Sequence, residues 1–163
     1  MKILVVSDIH YPDRLGEIPD LSLYIRGVDA IFALGDYTTL PVLDYLKSFN
    51  KRLFAVSGNM DEASLKKRLP KKIAFEIDNV KIGLFHGTGG PYGIEKRVKA
   101  AFEKPLNAYI FGHSHIPLNK TIDEALFFNP GAICDPHPTI GFIYIDFKNI
   151  WGEIIDLFPY SSE

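Results

Sequence analysis

A single cysteine, Cys134, is the only thiol in the sequence, so no disulfide can form within the chain and a reducing compartment suits it. No charge of one sign dominates. With 18 basic and 20 acidic residues, the chain lacks the positive surface that general nucleic-acid or membrane-surface binding draws on. Long hydrophobic runs are missing too. Behind Met1-Lys2, the run Ile3-Leu4-Val5-Val6 is too short for the core of a signal peptide or for a membrane span, and a cytoplasmic protein is expected. No internal repeat, low-complexity tract or linker interrupts the chain. What it has in quantity is apolar side chain: 47% hydrophobic against 23% charged over 163 residues fits one globular domain spanning 1–163 with a core of its own.

The apolar residues come in short unbroken runs. Ile3 to Val6 and Asp29 to Leu34 show the pattern of strands buried on both faces, as does Arg52 to Val56. Between them, Pro41 suits a first helical turn, and Val42, Leu43, Tyr45, Leu46 and Phe49 follow with helical spacing. Leu21 to Arg26 has weaker helical spacing. Asp61 reads as the cap of a short helix that Pro70 ends. Ile73 to Ile77 and Val80 to Phe85 flank Asp78-Asn79, a tight hairpin link. A helix over 92–103, strands at Tyr109 and at Ala125 to Phe128, and a final hairpin of 141–147 with 151–157 turning at Lys148-Asn149 complete the chain. Buried strands alternating with helices imply a parallel core, and the hairpins add antiparallel strands. The expected fold class is α/β, a two-sheet sandwich with flanking helices.

Sites in such sheets lie beyond the carboxyl ends of the strands, and there the polar residues gather. Asp8, His10, Asp36, Asn59, His86, His113 and His115 each follow an apolar run closely. Four of the five histidines are in this set, a concentration that scattered surface histidines would not produce. His113 and His115, two apart in extended chain, point the same way. No cysteine is included, so the set offers only oxygen and nitrogen donors and favours manganese, iron, nickel or zinc over softer metals. Seven donors exceed one tetrahedral ion but suit two ions sharing a carboxylate, the arrangement of many phosphatases and nucleases. Singly, the residues have plainer readings: Asp8 as a turn residue, Asn59 after Gly58 as a left-handed turn residue, His86 as a histidine bonded to backbone. His137, between Pro136 and Pro138, reads as a loop residue. Gly87-Thr88-Gly89-Gly90-Pro91 fails the Walker spacing and reads as a flexible loop over the site.

Asp8-x-His10, Gly35-Asp36, Gly58-Asn59-x-Asp61, His86-Gly87 and Gly112-His113-x-His115 together resemble the five ordered motifs of the calcineurin-like metallophosphoesterases. Order, spacing and chain length are most similar to the small bacterial and archaeal phosphodiesterase branch, near which the retromer subunit of the same fold also lies; Asn129-Pro130-Gly131 extends the likeness. The resemblance implies that one metal takes Asp8, His10 and His115, that the other takes Asn59, His86 and His113, and that Asp36 bridges them. It also implies two divalent ions, manganese foremost, and an in-line attack on a phosphate ester by a hydroxide held between the ions. The expected substrate is a small-molecule phosphodiester, with no stable nucleic-acid complex, no membrane, and self-association into a homo-oligomer. Two positions depart from the pattern. Met60 stands where many members have a histidine that steadies the phosphate or protonates the leaving group, and Thr88 stands where relatives often carry a second histidine. Two other readings share the fold: a non-catalytic metal-binding scaffold for protein interactions, and a nuclease. Seven competent donors favour catalysis over the first, and the near-neutral charge argues against the second.

Overall fold

The two-residue period of an extended chain divides β1 (Lys2–Val6) between two cores. Ile3 and Val5 enter one apolar cluster, Leu4 and Val6 another, and all four are fully buried. That is the architecture in miniature. In the computed structural model, which describes residues 1–157, two five-stranded sheets pack face to face. The last six residues of the expected domain, 158–163, lie outside the described residues.

The first sheet runs in the order β10-β9-β1-β2-β3, with β2 (Ala30–Ala33) and β3 (Arg52–Ala55) parallel to β1 and the hairpin of β9 (Thr139–Asp146) and β10 (Asn149–Asp156) antiparallel. The second runs β4-β5-β6-β8-β7. Here β5 (Val80–Phe85), β6 (Ala108–Phe111) and β8 (Ala125–Asn129) are parallel, while β4 (Lys72–Ile77) and β7 (Leu118–Ile122) close the edges antiparallel. Between the sheets lie Phe32, Leu84, Ile110, Phe128 and Ile143. Helix α1 (Leu40–Ser48) covers the outer face of the first sheet through Val42, Leu43 and Leu46, and α3 (Ile94–Ala100) covers the second through Ile94 and Val98. A short α2 (Ala63–Arg68) follows β3. Among the described residues no helix is long and apolar enough to cross a membrane.

Three local expectations are corrected. Leu21 to Arg26 forms turns: Tyr24 N–H reaches Leu21 and Val28 N–H reaches Ile25, three residues apart, and no ladder of four-residue steps develops between Pro19 and Gly27. Helix α3 starts later than Tyr92, because Gly93 sits at φ 69 in the left-handed region. It ends early, in three-residue steps at Ala101 and Phe102. The final hairpin pairs Asp146 with Asn149, so its corner is Phe147-Lys148; stacking of Tyr144 on its partner Trp151, ring centroids 5.5 Å apart, accompanies that register. Strand β7 has no signature in the sequence, because Asn119, Lys120 and Thr121 are exposed edge residues with no apolar run. The Asp78-Asn79 hairpin is as expected: both residues have positive φ, 49° and 64°, in the corner between Ile77 and Val80.

Candidate metal centre

Strands β1, β2, β3, β5 and β6 all end on the same rim, and each delivers part of one cluster there. Asp8 and His10 follow β1, Asp36 follows β2, Asn59 follows β3, His86 follows β5, and His113 and His115 follow β6. Asp8, His10, Asp36 and His86 are buried, His113 and His115 half-buried, and Asn59 exposed, so the cluster opens to solvent on one side. Asp8, His10, Asp36, His113 and His115 have φ between 51° and 68°. A residue with a Cβ pays roughly 1 kcal/mol or more for that conformation, and its accumulation here marks a place where orientation outweighs backbone comfort.

Each aspartate has one oxygen tethered and the other turned inward. Asp8 Oδ2 accepts from Ser7 Oγ at 2.5 Å and from the His113 N–H at 3.0 Å. Its Oδ1 faces His115 Nε2 at 3.2 Å and His10 Nε2 at 3.7 Å. Asp36 Oδ1 accepts from the Met60 N–H at 2.8 Å, while Oδ2 stands between His86 Nε2 at 3.2 Å and His10 Nε2 at 3.6 Å. The histidines are oriented likewise. His86 Nδ1 donates to the Leu34 carbonyl at 2.7 Å, His113 Nε2 to the Gly89 carbonyl at 2.8 Å and His115 Nδ1 to Asp135 Oδ1 at 2.9 Å. Those bonds assign the tautomers of the neutral rings, the form that binds a cation, in which His86 Nε2, His113 Nδ1 and His115 Nε2 are the inward lone pairs.

In that neutral form, acceptors converge without donors. His86 Nε2, His113 Nδ1 and Asn59 Oδ1 lie 2.9 to 3.3 Å from one another, a repulsive arrangement unless a cation lies among them. Asp8 Oδ1 and His10 Nε2 are buried atoms with no hydrogen-bond partner, and Asp8, His10 and Asp36 have donor atoms within 4.8 Å of each other. Buried polar groups left unpaired cost about 1 to 3 kcal/mol each. This chain's residues therefore fit divalent cations.

The electrostatics agree. Burial alone would raise the Asp8 carboxyl, but His10, His115 and His86 around it hold it well below the usual carboxylate range. Asp36 is lowered in the same way, its burial overcome by His86 and by the Met60 N–H. The Asp8 carboxylate, with Cys134 second, pushes His115 up to about 11. A metal-free His115 therefore keeps its extra proton at neutral pH, and cation uptake must displace it. Because the folded pKa is raised, affinity falls as pH falls, by about tenfold per pH unit for one displaced proton. Calorimetry of manganese uptake in buffers of different ionisation enthalpy is expected to show that proton release.

Several supporting residues take roles that the sequence did not assign to them. Asn129 is the buried last residue of β8; its Nδ2 donates to the Gly112 carbonyl at 2.9 Å and to Ser114 Oγ at 3.0 Å, clamping the His113 loop. Asp135 orients His115. Arg97 holds the 88–92 loop through the carbonyls of Thr88, Gly90 and Tyr92, so a segment expected to be flexible is strapped to α3. His137 lies in the bend between β8 and β9, as read from its prolines. Asp61 is not the helix cap: Glu62 holds that position, and Asp61 accepts from the Thr38 N–H at 2.9 Å and the Gly58 N–H at 2.7 Å. Burial raises its pKa. Asp61→Ala leaves both buried donors unpaired and is expected to cost about 3 kcal/mol, read as a lower denaturant midpoint at unchanged slope.

The family model of the calcineurin-like phosphoesterase superfamily domain matches residues 1–149. The chain belongs to that superfamily. A probable metallophosphoesterase of Methanothermobacter thermautotrophicus is 32% identical over 160 residues, 95% of this chain and 92% of its own length. A phosphodiesterase of Methanocaldococcus jannaschii is 26% identical, covering 95% of this chain and 99% of its own. In fold, the chain is similar to the crystal structure of Vps29 from Entamoeba histolytica complexed with Zn2+, with a TM-score of 0.75 at 23% identity, over 96% of this chain and 99% of that one. Superfamily membership carries with it divalent metal ions, and the residues just described are the candidates to hold them.

Proposed function

We propose that this phosphoesterase is a dinuclear-metal phosphodiesterase acting on a small-molecule diester. The observation that carries the reading is the two-part cluster of acceptors. Asp8, His10 and His115 form one half and Asn59, His86 and His113 the other, with Asp36 Oδ2 within 3.6 Å of a histidine from each. Two divalent ions held there, manganese by preference, would lower the pKa of water and offset the charge on the phosphate. The chain's own residues supply position: Ser7, the His113 N–H and the Met60 N–H fix the carboxylates, while Leu34, Gly89 and Asp135 fix the rings. Sites organised this way act mainly by orientation and electrostatics.

Met60 decides the leaving-group preference. It follows Asn59 at the exposed side of the cluster, itself about half exposed, and a thioether has no proton to give. Esters with poor leaving groups lose about 10²-fold or more without a general acid. Phosphodiesters and aryl esters should therefore be better substrates than alkyl monoesters, and Met60→His is expected to raise turnover of a sugar phosphate by about 10²-fold. Serine or sugar phosphates hydrolysed faster than a chromogenic diester by the unaltered protein would contradict this.

The likeness to Vps29 favours a second reading, a metal-binding scaffold for protein interactions. Metal analysis with a manganese-supported diesterase assay separates the two, His115→Ala serving as control. A protein that retains its ions yet turns over no diester is the scaffold.

A further inference from the structure

The two ring nitrogens of His115 face different chemistry. Its Nε2 lies 3.2 Å from Asp8 Oδ1, in the oxygen-rich cluster. Its Nδ1 lies 2.9 Å from Asp135 Oδ1 and 3.9 Å from Cys134 Sγ, and that sulfur is 3.8 Å from the same Asp135 oxygen. In a tetrahedral zinc site, with bonds of about 2.3 Å to sulfur and about 2.0 Å to nitrogen or oxygen, the ligand atoms stand roughly 3.3 to 3.6 Å apart. The observed separations bracket those values. His10 completes the group: donor atoms of His10, His115 and Cys134 all lie within 4.8 Å of one another. His10 Nε2 is also a buried nitrogen without a hydrogen-bond partner. Cys134 and Asp135 lie outside the five motifs that carry the family resemblance.

We propose that Cys134, Asp135, His115 and His10 form an alternative, sulfur-containing site for a soft, thiophilic divalent cation of the cadmium class, and that filling it disables the oxygen-rich centre. The exclusion follows from a single lone pair. A neutral imidazole has one accepting nitrogen, the other carrying a proton, so His115 serves Asp8 through Nε2 or Cys134 through Nδ1, never both. Thiolate selects soft cations, whereas Asp8, Asp36 and Asn59 suit harder ones such as manganese. Cadmium therefore favours the thiolate constellation and manganese the oxygen-rich one, while zinc suits either, and filling the thiolate constellation inhibits. Only the inhibitory consequence rests on the phosphodiesterase reading; the ligand set does not.

Cadmium alone is the probe. Titrated into the whole purified chain, it is expected to raise an ultraviolet sulfur-to-metal charge-transfer band that saturates at one equivalent and is absent from Cys134→Ser. Cys134 is the only cysteine, so the band reports that residue, and Asp135→Ala, which keeps the thiol, tests whether the neighbours take part. Asp135→Ala is expected to weaken cadmium binding by about tenfold or more. Cadmium inhibition of manganese-supported hydrolysis is expected to weaken to a similar extent in Cys134→Ser. A wild-type protein without the band, or Asp135→Ala with unchanged affinity, overturns the site. Cadmium inhibition that is equal in Cys134→Ser overturns the exclusion. Should manganese support no hydrolysis at all, the phosphodiesterase reading fails, and the cadmium band still decides the sulfur site.

Discussion

Asp36→Asn is expected to lower manganese-supported diester hydrolysis by about 10³-fold or more. The substitution is nearly isosteric, and asparagine tolerates the backbone conformation that Asp36 adopts at φ 53. Its side-chain oxygen still accepts from the Met60 N–H, the bond that now holds Asp36 Oδ1 at 2.8 Å. What disappears is the charge on Oδ2, the atom within 3.6 Å of His10 and within 3.2 Å of His86. Charge stabilisation of a phosphate transition state by metal ions amounts to several kcal/mol, and each ~1.4 kcal/mol is a factor of ten in rate. On the two-metal reading, losing an anion shared by both ions is expected to remove about three powers of ten without unfolding anything. Thermal unfolding supplies a second readout. Metal at about 100 times its dissociation constant adds about 2.7 kcal/mol, a rise of roughly 5 to 10 °C for a chain of this size. The wild type should show that rise and Asp36→Asn should not. Activity within fivefold of wild type would remove Asp36 from its assigned place.

Gly58→Ala should do nearly as much damage without touching a donor. A Cβ at Gly58 would lie 2.1 Å from Asp36 Oδ1 and 2.3 Å from the Asp36 backbone nitrogen, distances that no real Cβ keeps. The backbone of Asp36 has little freedom to retreat, because its carbonyl accepts from the His10 N–H at 3.0 Å. The carboxylate must turn away from the cluster. Misplacement of a positioned group by about 1 Å costs about 10²-fold, so a loss of that order in kcat is expected, along with weaker metal retention. Gly16→Ala is the control: an added Cβ there meets nothing within 4 Å, and activity and stability should both be unchanged. Equal activity in Gly58→Ala and Gly16→Ala would mean that Asp36 need not be held where it is.

Much of this was legible before any coordinates. Unbroken β-branched runs can be buried only on both faces, so parallel strands under helices followed from Ile3 to Val6 and Asp29 to Leu34 themselves. Polar residues that end such runs must then sit on a common rim. The structure brings all seven named side chains together, from Asp8 near the start of the chain to His115 past its middle, because strand ends are the positions that the period and direction of a strand determine.

What sequence could not supply are features that depend on partners distant along the chain. An aspartate before a helix looks like a cap, and only the fold brings the Thr38 and Gly58 N–H groups to Asp61 and gives it another role. The corner of the last hairpin shifted to Phe147-Lys148, with Tyr144 stacked across on Trp151. Edge strand β7 has no apolar period to read. Cys134 and Asp135 belong to no motif, and they matter only because the loop after β8 is stitched to β1, with Cys134 N–H on the Asp8 carbonyl at 3.0 Å. The amino-acid sequence alone determined which chemistry the rim could hold, since donor type and strand-end position are local properties. Which lone pair points where, and which second metal could compete for His115, was decided by tertiary structure, because each is set by a hydrogen bond whose two ends are far apart in the chain.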